Sequence, residues 1–148
     1  MKTKIFIGGS MSVRALSPEV RTRLDNIIAS QHHVLVGDAP GVDALVQTYF
    51  ASRQYTNVTV YHSGNQCRHN VGNNPTISVA FSGTGGRAFY TAKDIQMAND
   101  ADFGFMLWDG RSQGTKSNLL ALTRQHKKAL LWLSGEFFTI SSSADIPL

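Results

Sequence analysis

The apolar positions of this chain change period from run to run, and the changes predict alternating strands and helices. KIFIGG, residues 4–9, is a short apolar run stopped by two glycines, as in a buried strand. Ser17, Pro18 and Glu19 read as a helix start: Ser17 can cap, Pro18 suits the first turn, and Glu19 favours the positive end. Val20, Leu24, Ile27 and Ile28 follow at helical spacing. HVLVGD, 33–38, predicts a second strand, and GVDALVQTYFASR, 41–53, a second helix that turns Val42, Leu45, Val46, Tyr49 and Phe50 inward. NVTVYH, 57–62, alternates as a third strand. AFYTAKDIQMANDA, 88–101, reads as a helix and DFGFMLW, 102–108, as the fourth strand. GTKSNLLALTRQHKK, 114–128, reads as a helix, and ALLWL, 129–133, as the fifth strand. The tail after it has too weak a period to assign.

The stretch 63–87 keeps no helical period. It holds Gly64, Gly72, Gly83, Gly85 and Gly86 with Asn65, Asn70, Asn73 and Asn74. A connection of this length is expected to be functional or mobile, so it is read as a loop over the ligand site, with a short strand at TISVAF, 76–81. Strand–helix alternation predicts an α/β chain. The expected form is a Rossmann-like three-layer α/β/α sandwich with a mostly parallel five-stranded sheet, in one domain over 1–148. Ligands of such sheets sit beyond the carboxyl ends of the strands.

Composition narrows the partner. Net charge is +4 and favours anions, but no dense Lys/Arg block supports a nucleic-acid surface. No apolar run is long enough to cross a bilayer, and MKTKIFIGGS reaches glycine too soon for a signal peptide. Cys67 is the only cysteine, so no intrachain disulfide is possible and a cytoplasmic protein is expected. His62, Cys67 and His69 lack zinc spacing, so no metal is expected, and no cofactor is implied. Cys67 lies next to Arg68 and His69, a position that can lower a thiol pKa.

Candidate chemistry gathers at the predicted strand ends. Gly8 and Gly9 allow close backbone approach to a phosphate, and Ser10 adds a hydroxyl. Gly37, Asp38 and Gly41 surround a turn that places the amides of Gly41 and Val42 at a helix start, where anions bind. Asp43 in that first turn either stabilises the helix or meets a ribose hydroxyl. Asp109 can accept from a ribose or base, Arg111 can pair with phosphate, and Gly110 and Ser112 shape the turn between them. Gly114 and Thr115 open the last helix with free amides, Thr115 being equally an N-cap. Tyr90, Lys93 and Asp94 share a helix face with Met97, and Arg87 can fold down onto an anion. Trp108 reads as packing. The only glutamates, Glu19 and Glu136, lie away from these turns, so a catalytic carboxylate must be Asp38, Asp43, Asp94 or Asp109.

Three segments in order resemble the SLOG superfamily, which includes the LOG hydrolases and YAcAr-type domains: FIGGS at 6–10, VGDAPGVDALV at 36–46, and KDIQMANDADFGFMLWDGRSQGTKSN at 93–118. WDGRSQGT is similar to a YAcAr-type Trp-Asp-Gly-x-Ser-x-Gly-Thr. The resemblance spans roughly residues 4–133. It implies a Rossmann-like domain that binds a nucleotide or nucleotide-sugar derivative, and a homodimer or higher homo-oligomer. LOG-type enzymes carry a glutamate three residues after the Gly-Thr pair and an arginine four before the methionine. This chain has Asn118 and Lys93 there, and asparagine cannot act as a carboxylate base or nucleophile. Binding as a sensor or sequestering protein is therefore expected first. An N-glycosidic hydrolase or transferase using Asp94 or Asp109 comes second. A single-strand DNA-binding module comes third, since DNA-processing proteins share a similar Gly-Val/Ile-Asp turn.

Overall fold

The computed structural model describes residues 3–83 and 85–147. Seven strands form one sheet: β1 (Lys4–Gly9), β2 (His33–Val36), β3 (Val58–Ser63), β4 (Thr76–Val79), β5 (Phe103–Trp108), β6 (Ala129–Leu133) and β7 (Glu136–Ile140). Four helices connect them: α1 (Pro18–Ala29), α2 (Val42–Ser52), α3 (Arg87–Asp100) and α4 (Gln113–Arg124). The strand order is β4-β3-β2-β1-β5-β6-β7. All neighbours are parallel except β6 and β7. The fold is a Rossmann-like α/β/α sandwich, with seven strands where the sequence pattern predicts five.

The chain steps outward from β1 to β4, then returns to start β5 on the other side of β1. With crossovers of constant hand, that reversal moves the helices to the opposite face. Ile5, Ile7, Val34, Val36, Phe105 and Leu107 pack with α1 and α2. Phe6, Leu35, Tyr61 and Met106 pack with Met97, Leu119 and Leu122 of α3 and α4. This period-two alternation of two buried faces explains why the strands read as continuous apolar runs.

The two extra strands have separate causes. β4 falls on the short strand expected at TISVAF, inside the stretch read as a loop, and pairs with β3 from Val60↔Thr76 to Ser63↔Val79. The segment before it is held by polar side chains of its own and of α2. Asn70 Oδ1 accepts from the Asn74 amide at 3.1 Å, and Gln47 Oε1 accepts from the Val71 amide at 2.8 Å. β7 is the second arm of a hairpin turned at Ser134 and Gly135, both with positive φ (52° and 78°). That is the geometry a two-residue hairpin loop between twisted strands requires.

Helix starts follow the sequence, and α2 and α3 end within one residue of the expected positions, whereas α4 does not. Ser17 Oγ accepts from the Val20 amide at 3.2 Å and caps α1. α4 stops at Arg124, four residues short of the predicted end. His126 adopts φ 59°, and the Lys127 amide reaches back to Leu122 O at 3.0 Å. α1 and α2 end in the same way, through Gln31 (φ 58°) and Gln54 (φ 57°). These are Schellman-type stops at which glycine is the usual residue.

Candidate ligand site at the strand switch point

β1 is the strand at which the order reverses, and its carboxyl end with that of β5 forms the crevice where doubly wound sheets bind ligands. A cavity of about 600 Å³ lies there. Its walls bring together Gly8, Gly9 and Ser10 after β1, Asp43 on α2, Arg87, Tyr90, Lys93 and Asp94 on α3, and Asp109, Ser112, Gly114, Thr115 and Asn118 around the start of α4. Met11, Ser12, Arg68, Thr91 and Gln113 also line it, and the sequence pattern did not select them.

Ser10 ties the site together. It is 1% exposed. Its Oγ accepts from the Asp109 amide at 3.0 Å and bonds Ser112 Oγ at 2.8 Å. Its carbonyl accepts from the Val42 amide at 3.4 Å. Asp109 completes the knot. Its Oδ2 accepts from Ser12 Oγ at 2.7 Å, and its Oδ1 accepts from the amides of Arg111 and Ser112, each at 2.8 Å. The Ser12 hydroxyl first, then those amides, hold the Asp109 carboxyl down at about 2. A carboxylate engaged in this way orders the turn, and its lowered pKa makes it a weak base. Trp108 is buried and donates from Nε1 to Ser112 O at 3.0 Å, fixing the residue that precedes α4.

The helix starts at the cavity differ in charge. Thr115 is not the N-cap of α4. Ser112 occupies that position, with no side-chain cap bond and no acidic residue in the first turn. The first amides of a helix have no intrahelical acceptor, so those of Gln113, Gly114 and Thr115 are left to the cavity wall. A Cβ built on Gly114 would meet nothing within 4 Å. α3 likewise starts without a side-chain cap bond or an acidic residue, at Arg87. Arg87 forms no ion pair among the described residues. At the start of α2 only one of the two amides expected to form an anion cradle has a partner among the described residues. The Val42 amide is committed to Ser10 O, and Asp43 Oδ2 accepts from the Ala39 amide at 3.1 Å.

Asp43, Lys93 and Asp94 form a buried polar cluster. Lys93 is 4% exposed, and its Nζ donates to Asp94 Oδ1 at 2.8 Å. Burial opposes its charge, but Asp94 and Asp43 outweigh that and raise its pKa. Burial pushes Asp43 up to about 7, against the pull of Lys93 and with a further push from Asp94. Burial thus brings the Asp43 carboxyl close to neutrality, while Asp94 accepts from Lys93. Gly37 makes the cluster possible: a Cβ there would lie 2.5 Å from Asp43 Oδ2 and 2.9 Å from Lys93 Nζ.

The remaining candidates serve the scaffold. A Cβ on Gly9 would lie 2.2 Å from Leu107 O. Gly41 has φ 82°, and a Cβ there would lie 2.4 Å from Met11 Cα. Gly110 turns the chain at φ 79°. Arg111 is exposed and does not line the cavity. Asp38 faces a smaller neighbouring cavity, where Arg68 donates to it from its amide (2.8 Å) and from Nη2 (3.0 Å). Burial works against the charged form of Asp38, but these bonds prevail and hold the carboxyl below its ordinary value. Burial raises the Cys67 pKa despite a bond to His69 O, contrary to the lowered value its neighbours imply. His62 Nδ1 and His69 Nε2 are buried without a partner. Among the described residues no group of three or more His, Cys, Asp or Glu side chains is placed to hold a metal, and no helix is long and apolar enough to cross a membrane.

The architecture defines a Rossmann-like α/β domain with a polar cavity at its switch point. No protein-family model and no curated protein matches the chain. A solved structure of DNA processing protein A from Helicobacter pylori, described for its single-stranded DNA binding mode, is similar in fold. The TM-score is 0.62 and the identity 13%, over 87% of this chain and 64% of that one. This chain thus spans less than two thirds of that protein's length, and the likeness is one of fold.

Proposed function

We propose that this protein binds a nucleotide or ribose-phosphate derivative in the switch-point cavity. The observation that carries this is the uncapped, acid-free start of α4, whose amides border a cavity also lined by Arg87. Free first-turn amides bind phosphate through backbone donors and the helix dipole together. A volume of about 600 Å³ suits a ligand larger than an inorganic ion. Thermal melts with AMP, ADP-ribose, ribose 5-phosphate and cyclic nucleotides test the reading. A ligand at about a hundred times its Kd stabilises by about 2.7 kcal/mol, roughly 5–10 °C for a chain of this length. No shift with any of these probes refutes it.

Cleavage of the N-glycosidic bond requires a proton donor or acceptor at the ligand, and Asp43 is the group that fits. Release of free base in the same mixtures, abolished by Asp43→Asn, would make the protein an enzyme. Single-stranded DNA binding is the other reading, favoured by the fold likeness and by the Arg68 guanidinium 4.3 Å over the ring of Tyr90. It requires an oligothymidylate affinity that falls steeply with salt.

A further inference from the structure

A second cavity of about 210 Å³ adjoins the first, and Arg68 and Tyr90 belong to the walls of both. This volume is below the range of about 300–1,000 Å³ that encloses a whole small-molecule ligand, so it is sized for a fragment of one. Its surroundings are specific. Phe89 forms one wall, with its ring edge-on to Tyr90 at 5.0 Å and to Phe81 at 5.6 Å. Gly64 allows this packing, because a Cβ there would lie 2.8 Å from the Phe89 ring. Asn65 and Gln66 face the cavity with exposed carboxamides. The partition is fixed, since Arg68 is bound to the buried Asp38 by both its amide and its guanidinium.

Aromatic rings and a guanidinium plane stack nucleobases, and asparagine and glutamine carboxamides match a base edge with a donor and an acceptor side by side. A phosphate needs neither feature, and an apolar group would leave the carboxamides unanswered. We propose that the cavity beside Phe89, Asn65 and Gln66 is a nucleobase subsite, so that the ligand carries a second nucleoside unit reaching past the Arg68–Tyr90 pair. The proposal rests on the switch-point cavity holding the phosphate-bearing part of the ligand.

Two probes isolate the subsite. ADP-ribose and diadenosine diphosphate differ by the second adenine, carried on the terminal ribose. Calorimetric titration is expected to give diadenosine diphosphate an affinity at least about tenfold higher, within the range for one stacked base. The double variant Asn65→Ala/Gln66→Ala, which keeps the stacking ring of Phe89 and removes the carboxamide hydrogen bonds, is expected to cut that advantage about threefold or more and to leave ADP-ribose binding unchanged. Both side chains are exposed, so the variant keeps the fold, which circular dichroism checks. ADP-ribose binding with no gain from the second adenine overturns the subsite alone, as does an equal loss for both probes in the variant. Failure of both probes to bind the unaltered protein overturns the subsite, and the phosphate reading falls with it if AMP, ribose 5-phosphate and cyclic nucleotides give no melting shift either.

Discussion

Replacing Gly114 by aspartate should make the folded protein more stable and its ligand weaker. Gly114 lies in the first turn of α4, which has no acidic residue there, and a Cβ at this position meets no atom within 4 Å. Two effects favour the variant without ligand. Exchanging glycine for another residue inside a helix recovers roughly 0.5 kcal/mol. A carboxylate at the positive helix end adds about 0.3–1 kcal/mol. Together they amount to about 1 kcal/mol, which raises Tm by roughly 2–4 °C in a chain of this size. The same carboxylate occupies the place a phosphate would take. Hydrogen bonds to a charged group are worth about 1.5–3 kcal/mol, so ADP-ribose should bind roughly 10- to 150-fold more weakly. Differential scanning fluorimetry of the free protein and calorimetry with ADP-ribose measure the two signs separately. A variant that melts higher yet binds ADP-ribose within about twofold of the original shows that these amides do not hold the anion. A lower melting point instead contradicts the description of α4 as an uncapped helix start open to the cavity.

The Asp43 carboxyl titrates at about 7 in the fold against an ordinary value of 3.8. Its folded value is the higher one, so its contribution to stability is complete below about pH 4 and lost as pH rises to about 7, on the order of 4 kcal/mol. Asp43→Asn should flatten this fall, so that the variant gains on the original between pH 4.5 and 7.5 in urea melts; parallel profiles contradict it. Gln54→Gly should raise stability by about 0.5–1 kcal/mol, because Gln54 ends α2 at φ 57° where glycine carries no strain; an unchanged urea midpoint would count against the strain argument. Gly41→Ala should cost about 2 kcal/mol or more, since it combines φ 82° with a Cβ 2.4 Å from Met11 Cα; a cost under about 0.5 kcal/mol would mean the Met11 segment moves aside freely.

Period and punctuation were enough to read most of the fold. Short apolar runs such as KIFIGG, HVLV and FGFMLW, bounded by turn residues, read as strands covered on both faces, and the helical spacing between them supplies the covers. Local chemistry also marked the start of α1, where Ser17 and Pro18 act on their own neighbours. The end of α4 escaped because His126 stands where glycine would have announced a stop. β7 escaped although Ser134-Gly135 is a turn signal, since its pairing depends on β6. TISVAF marks β4 as a short strand, but its place at the exposed edge of the sheet depends on pairing with β3.

The site divides in the same way. Glycines, hydroxyls and acids at strand ends are visible one by one, and the switch point gathers Ser10, Lys93, Asp109 and Thr115 around one hollow. Which of them hold the scaffold and which stay open to a guest is a property of distance. Asp109 is saturated by Ser12 and two amides, whereas Asp43 is buried beside Lys93 and loses its solvent. Arg68 joined the site only because residues 63–75 fold back across the end of β2 to reach Asp38. Residue order carries short-range preferences of backbone and side chain. Desolvation and charge pairing arise between groups far apart in the chain, and only the packed fold decides those.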